Sequence, residues 1–423
     1  IGGEYGGAVI YVAEHAPKET RGFQTSWIQT TAAFGLLLSL LVIMATRAIL
    51  PEDAFGAYGW RAPFLLSIFL LGISLWIRMK LNESPVFQKM KEEAATSQAP
   101  FREAFAEWRN LKIVLIALFG AVAGQAVTFY TGTFYVLYFL ERNLKVDGFF
   151  ANELVAIALV IGAPLYVFWG WLSDRTGRKP IIMGGLALGA LLYFPIFGWL
   201  TEAANPALAA AQKSAPVVVT ADPARCSFQF DPVGRTKFDA RSCDVAKSFL
   251  ARAGVAYASV DAPAGAPTVV TIGTRSIAVP ETAALAGDAR SEAIKAFHAE
   301  AKDALASVGY PEKADSASVN GVAVVALIVL LMNITAMCYG PMAALLVELF
   351  PARIRYTAIS LPYHIGNGWF GGFLPTTAFA IVAATGSTLA GLWYPVVIAG
   401  ATLVIGVLFL PETRDRRIEH YYG

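Results

Sequence analysis

Apolar residues fall in nine long blocks, covering roughly 1–16, 24–48, 60–80, 112–140, 151–173, 180–200, 319–349, 356–384 and 388–410. A helix needs about 20 mostly apolar residues to cross a bilayer, and most of these blocks reach that length. Between the sixth and seventh blocks lies a polar stretch rich in Ala and Asp, about 201–318, which cannot span and must sit in water. The pattern predicts an all-α membrane protein that crosses the bilayer many times and carries one large aqueous insertion.

The loops between blocks alternate in charge. Lys18 and Arg21, the loop 81–111, Arg175, Arg178 and Lys179, Arg353 and Arg355, and Arg414, Arg416 and Arg417 share one side. The opposite side offers only Arg47, Arg61, Arg142 and Lys145 in its short loops. Basic residues accumulate in cytoplasmic loops, so the first side is read as cytoplasmic, with the C-terminus on it. The 201–318 insertion then faces the periplasm or exterior, and the membrane is a cell inner (plasma) membrane.

The chain also repeats itself. Glu14-x-x-Pro17-x-x-x-Arg21 follows the first block, and Glu348-x-x-Pro351-x-x-x-Arg355 follows the seventh with the same spacing. Glu83 in Leu-Asn-Glu-Ser-Pro follows the third block, and Glu412 in Leu-Pro-Glu-Thr-Arg follows the last. The near-equal offsets imply two related halves, an organisation common in transporters. Four blocks precede Glu348 and one precedes Glu14, so symmetry predicts three helices missing before residue 1 and helices four to twelve present. The expected organisation is an N-terminal bundle remainder 1–80, a cytoplasmic loop 81–111, a C-terminal bundle 112–200 and 319–410 interrupted by the insertion 201–318, and a tail 411–423.

Composition supports this class. Hydrophobic residues make up 56% of the chain and charged residues only 15%, against about a quarter charged in a soluble domain. A net charge of +2 gives no footprint for a nucleic-acid partner. Three cysteines are too few for a disulfide scaffold.

Gly170-x-x-x-Asp174-Arg175-x-Gly177-Arg178-Lys179 sits in a predicted cytoplasmic loop, two helices into a half. It resembles the signature loop of the major facilitator superfamily. Gly2-Gly3-Glu4-Tyr5-Gly6-Gly7-Ala8, with Arg21-Gly22 and Trp27-Ile28-Gln29, is similar to one branch, the metabolite:proton symporters, whose members carry shikimate, citrate, 2-oxoglutarate, or proline and betaine. The resemblance covers every helix but not the insertion. It implies a two-bundle carrier with alternating access and proton-driven uptake.

Several residues are candidates for that chemistry. Glu4 lies about ten residues, roughly 15 Å, inside the boundary near Glu14, which is bilayer-midplane depth. A carboxylate there is costly and by default a functional candidate; it is the proton carrier, a counter-charge to the substrate, or a structural acid. Tyr5 adjoins it. Gln29, about 12 Å into its helix, either glues helices or lines a cavity, and His364 either helps proton transfer or caps a carbonyl near a helix end. Tyr363 occupies the position equivalent to Gln29. Gln125 falls near the midplane, and Tyr130 joins it if the helix bends near Gly132. Asn333, Tyr339 and Asn367 are further candidates. No Lys or Arg lies deep within a block, which an anionic substrate would want.

The loop Asp174, Arg175, Gly177, Arg178 and Lys179, with Glu14, Arg21, Glu348 and Arg355, reads as a gate at the cytoplasmic mouth. Asp174 is expected to accept from a helix N-terminus, and Arg175 and Arg178 to pair with Glu348 or other acids. The plainer alternative is charges that only fix topology. In the insertion, runs at 217–219 and 267–272 look like strands and those near 242–253 and 288–307 like helices, a small α/β module. Cys226 and Cys243 are expected to form a disulfide in an oxidising compartment; a metal site would need more ligands than His298 supplies.

The leading reading is a secondary transporter, read as a monomer, whose partners are a small polar metabolite, protons and the bilayer. A facilitator or exporter of the same fold, or a receptor-like sensor using the insertion, are the alternatives. No catalytic constellation, metal cluster or cofactor motif is visible, so no enzymatic activity, metal or cofactor is expected.

Overall fold

A computed structural model of the chain describes residues 4–80, 83–93, 96–233, 235–285 and 287–418, apart from the side chains of Glu4, Glu52 and Arg78. Among the described residues, eight helices are long and apolar enough to cross a membrane, and they define a multi-pass membrane protein. The first expected block appears as α1, Glu4–His15, whose described length is too short to join these eight.

The remaining helices of the N-terminal half are α2, Arg21–Ile49, and α3, Ala62–Lys80. Two short helices follow, α4, Pro85–Glu92, and α5, Pro100–Phe105. Ser84 caps α4, its hydroxyl accepting from Phe87 N with Pro85 at the first turn, a standard N-terminal arrangement.

The C-terminal half begins with α6, Trp108–Asn143. Its path includes wider π-type turns at Leu118–Val122, Thr131–Tyr135 and Phe139–Asn143. Such turns often mark functional positions. Next come α7, Gly148–Thr176, and α8, Arg178–Ala204. Asp147 caps α7, its carboxylate accepting from Phe149 N and Phe150 N.

The expected insertion begins with α9, Pro206–Ser214, capped by Asn205. Strand β1, Val217–Ala221, leads through α10, Ser242–Arg252, to β2, Tyr257–Asp261. β1 and β2 are parallel, Val217 opposite Tyr257, so this is a β-α-β crossover. β3, Val269–Ile272, and β4, Arg275–Ala278, form a hairpin over Gly273 and Thr274. The sheet order is β2-β1-β3-β4. β1 alternates buried and half-buried residues as a one-sided strand should. Helix α11, Gly287–Ser307, closes the module. Cys226 and Cys243 are disulfide-bonded, with Cα atoms 5.2 Å apart, tying the segment after β1 to the start of α10.

The bundle is completed by α12, Gly321–Leu349, α13, Arg355–Thr385, and α14, Trp393–Phe409. The module is fastened to the bundle by main-chain contacts. Lys145 Nζ donates to Arg252 O at 2.8 Å, Ala314 N to Lys145 O at 2.9 Å, and Tyr257 N to Gly386 O at 2.8 Å. The Tyr257 hydroxyl also donates to Ala383 O. Gly386 ends α13 with φ +79°, and a Cβ there would strike Tyr257 O. Only glycine meets both conditions without strain.

Candidate functional site

Two polar constellations lie where helices of the two halves meet. The first is at the end of the bundle carrying residues 83–93, 96–111, 174–179, 351–355 and 411–418. Arg21, at the start of α2, donates from Nη1 to Glu348 Oε1 at 3.1 Å. Arg355, at the start of α13, donates from Nη1 to Glu14 Oε1 at 2.6 Å. Each half thus sends its arginine to the glutamate of the other. The supporting hydroxyls repeat as well: Ser84 donates to Glu14, and Thr413 donates to Glu348 Oε2 at 2.7 Å. All four charged side chains are at most 5% exposed. A buried guanidinium or carboxylate is tolerable only when paired in this way.

Arg178 ties the loop into this cluster. It donates to Glu348 Oε1 at 3.2 Å, to Asp174 Oδ1 at 2.7 Å and to Ser173 Oγ at 3.0 Å. Asp174 in turn accepts from Gly22 N at 2.7 Å and Phe23 N at 2.8 Å, the free amides at the start of α2. Gly177 joins α7 to α8 with φ +103°, and a Cβ would run into Glu412. The Glu412 carboxylate accepts from Arg178 N at 2.9 Å and Lys179 N at 3.0 Å, so it caps α8. Lys179 Nζ donates to Val407 O at 2.9 Å. Arg175 departs from expectation: rather than reaching Glu348, its guanidinium lies over the Trp171 ring, 3.7 Å from the centroid. The two are one helical turn apart on α7, and a cation–π stack there leaves Arg175 exposed.

The second constellation lies inside the bundle. Gln29 Nε2 donates to the Tyr5 hydroxyl at 2.7 Å, and the Tyr339 and Tyr363 hydroxyls are 2.8 Å apart. The offset that relates Glu14 to Glu348 also relates Tyr5 to Tyr339 and Gln29 to Tyr363, so the two hydrogen bonds are equivalents. Between them the Tyr5 and Tyr363 rings stack, with centroids 3.6 Å apart and planes 7° from parallel. Phe129 stacks on Tyr339 at 5.0 Å, and Tyr166 meets it edge-on at 6.0 Å.

Other expected residues fall at varying distances from this cluster. Tyr130 packs against Gly371. The Asn367 amide is spent on Tyr363 O at 3.0 Å, within its own helix. Asn333 Oδ1 accepts from Trp169 Nε1 at 2.9 Å, joining α12 to α7. Gln125 is fully buried, and neither its amide N nor O has a partner among the described residues. His364 Nε2 is likewise buried and unpartnered. Glu4 belongs to α1, but its side chain lies outside the described residues.

Ser84, Ser173, Glu412 and Thr413 were not among the candidates. Ser84 and Thr413 carried a signal, since each directly follows one glutamate of the Glu83/Glu412 repeat.

The fold defines a multi-pass helical membrane protein whose two related halves interlock through buried ion pairs. A profile of the sugar (and other) transporter family matches residues 1–221 and 304–422. The chain therefore belongs to that family, within the major facilitator superfamily; most of the module, 222–303, lies outside the match. The relatives are transporters, not enzymes. The proline/betaine transporter of Salmonella typhimurium is 36% identical over 204 residues, covering 45% of this chain and 40% of the relative. A glycine betaine/proline/ectoine/pipecolic acid transporter of Dickeya dadantii is 35% identical over 209 residues, covering 47% and 40%. A putative proline/betaine transporter of Staphylococcus aureus is 33% identical over 197 residues, covering 46% and 42%. The chain thus spans about two-fifths of the length of these relatives. A proton:xylose symporter of the superfamily, solved with 6-bromo-6-deoxy-D-glucose bound, shares the fold with a TM-score of 0.56 at 15% identity, covering 98% of this chain and 69% of that one.

Proposed function

We propose that the protein is a proton-coupled secondary transporter of a small zwitterion or organic acid, working by alternating access in the inner membrane. The observation that carries this reading is the exchange of arginines between halves, Arg21 to Glu348 and Arg355 to Glu14. Such pairs seal one mouth of the bundle and must break together for it to open, which makes the joint bistable rather than continuously deformable. In this reading the basic end is cytoplasmic, because it carries the lysine and arginine excess, and the module faces outward. In this reading residues 1–80 form one bundle and 112–200 with 319–410 the other, and the two move against each other with 81–111 as their link.

The substrate site in this proposal is the tyrosine cluster. Spanning helices carry Lys and Arg only near their ends, so a lone carboxylate has no deep counter-charge. Ring faces and hydroxyls suit a quaternary or secondary ammonium instead, and the relatives named for proline and betaine favour the same class. In the state seen here Tyr5 and Tyr363 fill each other's ring face; a substrate replaces that contact. Glu4 is the proposed proton carrier because of its depth along α1. Among the described residues, the Gln125 amide, His364 Nε2 and the Tyr166 hydroxyl are buried without partners and have hydrogen-bonding capacity to offer.

The test uses the complete protein in proteoliposomes under an inward proton gradient, with labelled proline, betaine, dicarboxylates and shikimate-like acids. Concentrative uptake of a zwitterion is expected. Glu4→Gln is expected to abolish concentration while sparing exchange. Uptake that ignores the gradient and tolerates Glu4→Gln would make the protein a facilitator.

A further inference from the structure

A cavity of about 790 Å³ lies at the seam between the module and the bundle, within the range of small-molecule sites. Its lining combines Lys145, Arg252, Lys302 and Lys313 with only two carboxylates, Asp303 and Glu312. Both carboxylates are already engaged, Asp303 by Arg275 at 2.8 Å and Glu312 by Lys302 at 3.5 Å. Among the described residues, neither Arg252 nor Lys313 has a side-chain hydrogen bond or ion pair. Exposed lysines and arginines are ordinary on an open surface; here they surround a cavity whose wall is apolar. Buried Phe249 stacks on His298 with ring centroids 4.6 Å apart. Tyr310, whose hydroxyl is spent on Ala215 O at 2.9 Å, contributes its ring alone.

Two further observations mark the site. Burial, then the charges of Lys302 and Arg252, hold the His298 imidazole below its usual range. Burial, then Arg142 and Lys302, do the same to the Lys145 ammonium. Cations thus outnumber carboxylates around the cavity, four to two, and both carboxylates are already engaged. Lys145 is also the only described non-glycine residue with positive φ, at 60°. A lysine in that region is strained, and strain persists where the surroundings over-determine it. Here they do so at the joint itself, where Lys145 contacts Arg252 O and Ala314 N.

We infer that the seam cavity between module and bundle binds an amphipathic organic anion, its acidic group on Arg252 and Lys313 and its apolar body against the Phe249–His298 pair. This site is separate from the proposed transport site, so its ligand need not be the transported solute.

Isothermal titration of the complete protein in nanodiscs, with benzoate, benzamide and sulfate as probes, tests this. Benzoate is expected to bind at one site. Arg252→Gln and Lys313→Gln are each expected to weaken it about tenfold, the usual worth of one charge-assisted hydrogen bond. Arg252→Gln should leave the fold intact, because it is the Arg252 carbonyl that holds Lys145. Benzamide and sulfate should bind at least about tenfold more weakly than benzoate, one lacking the charge and the other the apolar body. Tyr363→Phe should leave benzoate affinity unchanged. The proposal is overturned if benzoate fails to bind at about 10 mM, if neither cation variant weakens it, if benzamide or sulfate binds equally well, or if Tyr363→Phe removes binding.

Discussion

At the basic end, Arg21, Arg178 and Arg355 are buried and each reaches a carboxylate from a distant part of the chain. At the module seam, Arg252 and Lys313 border a cavity whose two carboxylates are engaged by other groups. The contrast follows from solvent. A charge out of water must find its partner within the protein, whereas one at an open cavity is partly served by water and stays free for a ligand. Saturated charge therefore marks a joint between parts, and unsaturated charge marks a place for something else.

Breaking the saturated side should have the largest effect. Glu348→Gln strips Arg21 and Arg178 of their shared acid, and should cost about 3–5 kcal/mol, read as a fall in thermal unfolding temperature in detergent. The disulfide tests the other end. Cys226→Ser with Cys243→Ser should cost about 3 kcal/mol for their separation of 17 residues. Hydrogen exchange should locate that loss in the module and leave the bundle protected; loss throughout the bundle would mean the two parts are one cooperative unit.

A double-mutant cycle on Glu14→Gln and Arg355→Gln should give a coupling of about 2 kcal/mol, and near-additive costs would refute the pairing. The smallest effect concerns His298. Its pKa is depressed below 6.5 by burial and by Lys302 and Arg252, so the folded state disfavours the imidazolium. Its contribution to stability is complete above 6.5 and is lost as pH falls through the folded pKa. Histidine NMR should show titration below 6.5, moving upward when benzoate fills the cavity.

Much of this was legible from spacing. The Glu-x-x-Pro-x-x-x-Arg repeat marked all four residues of the interlock, and apolar runs placed the spanning helices. Spacing could not say that arginines cross over, because a repeat shows which residues are equivalent, not which face each other. Arg175 was assigned to the charge cluster from its neighbours Asp174 and Arg178. Only the helical turn back to Trp171 would have placed it on a ring. In the module, β2 and β4 escaped notice because exposed residues dominate both and neither alternates clearly. Ser84 and Thr413 were overlooked because a lone hydroxyl has no pattern of its own; only its place beside a repeated glutamate distinguishes it.

The crossed arginines also bear on how the protein is made. Until the ribosome has delivered Glu348, Arg21 has no acid to bury against, and until it has delivered Arg355, Glu14 is likewise unmatched. A nascent N-terminal half therefore carries Arg21 and Glu14 without the ion-pair partners they have in the whole chain. Only synthesis of the second half supplies the partners, because each of the two ion pairs joins one half to the other and neither half can form them alone.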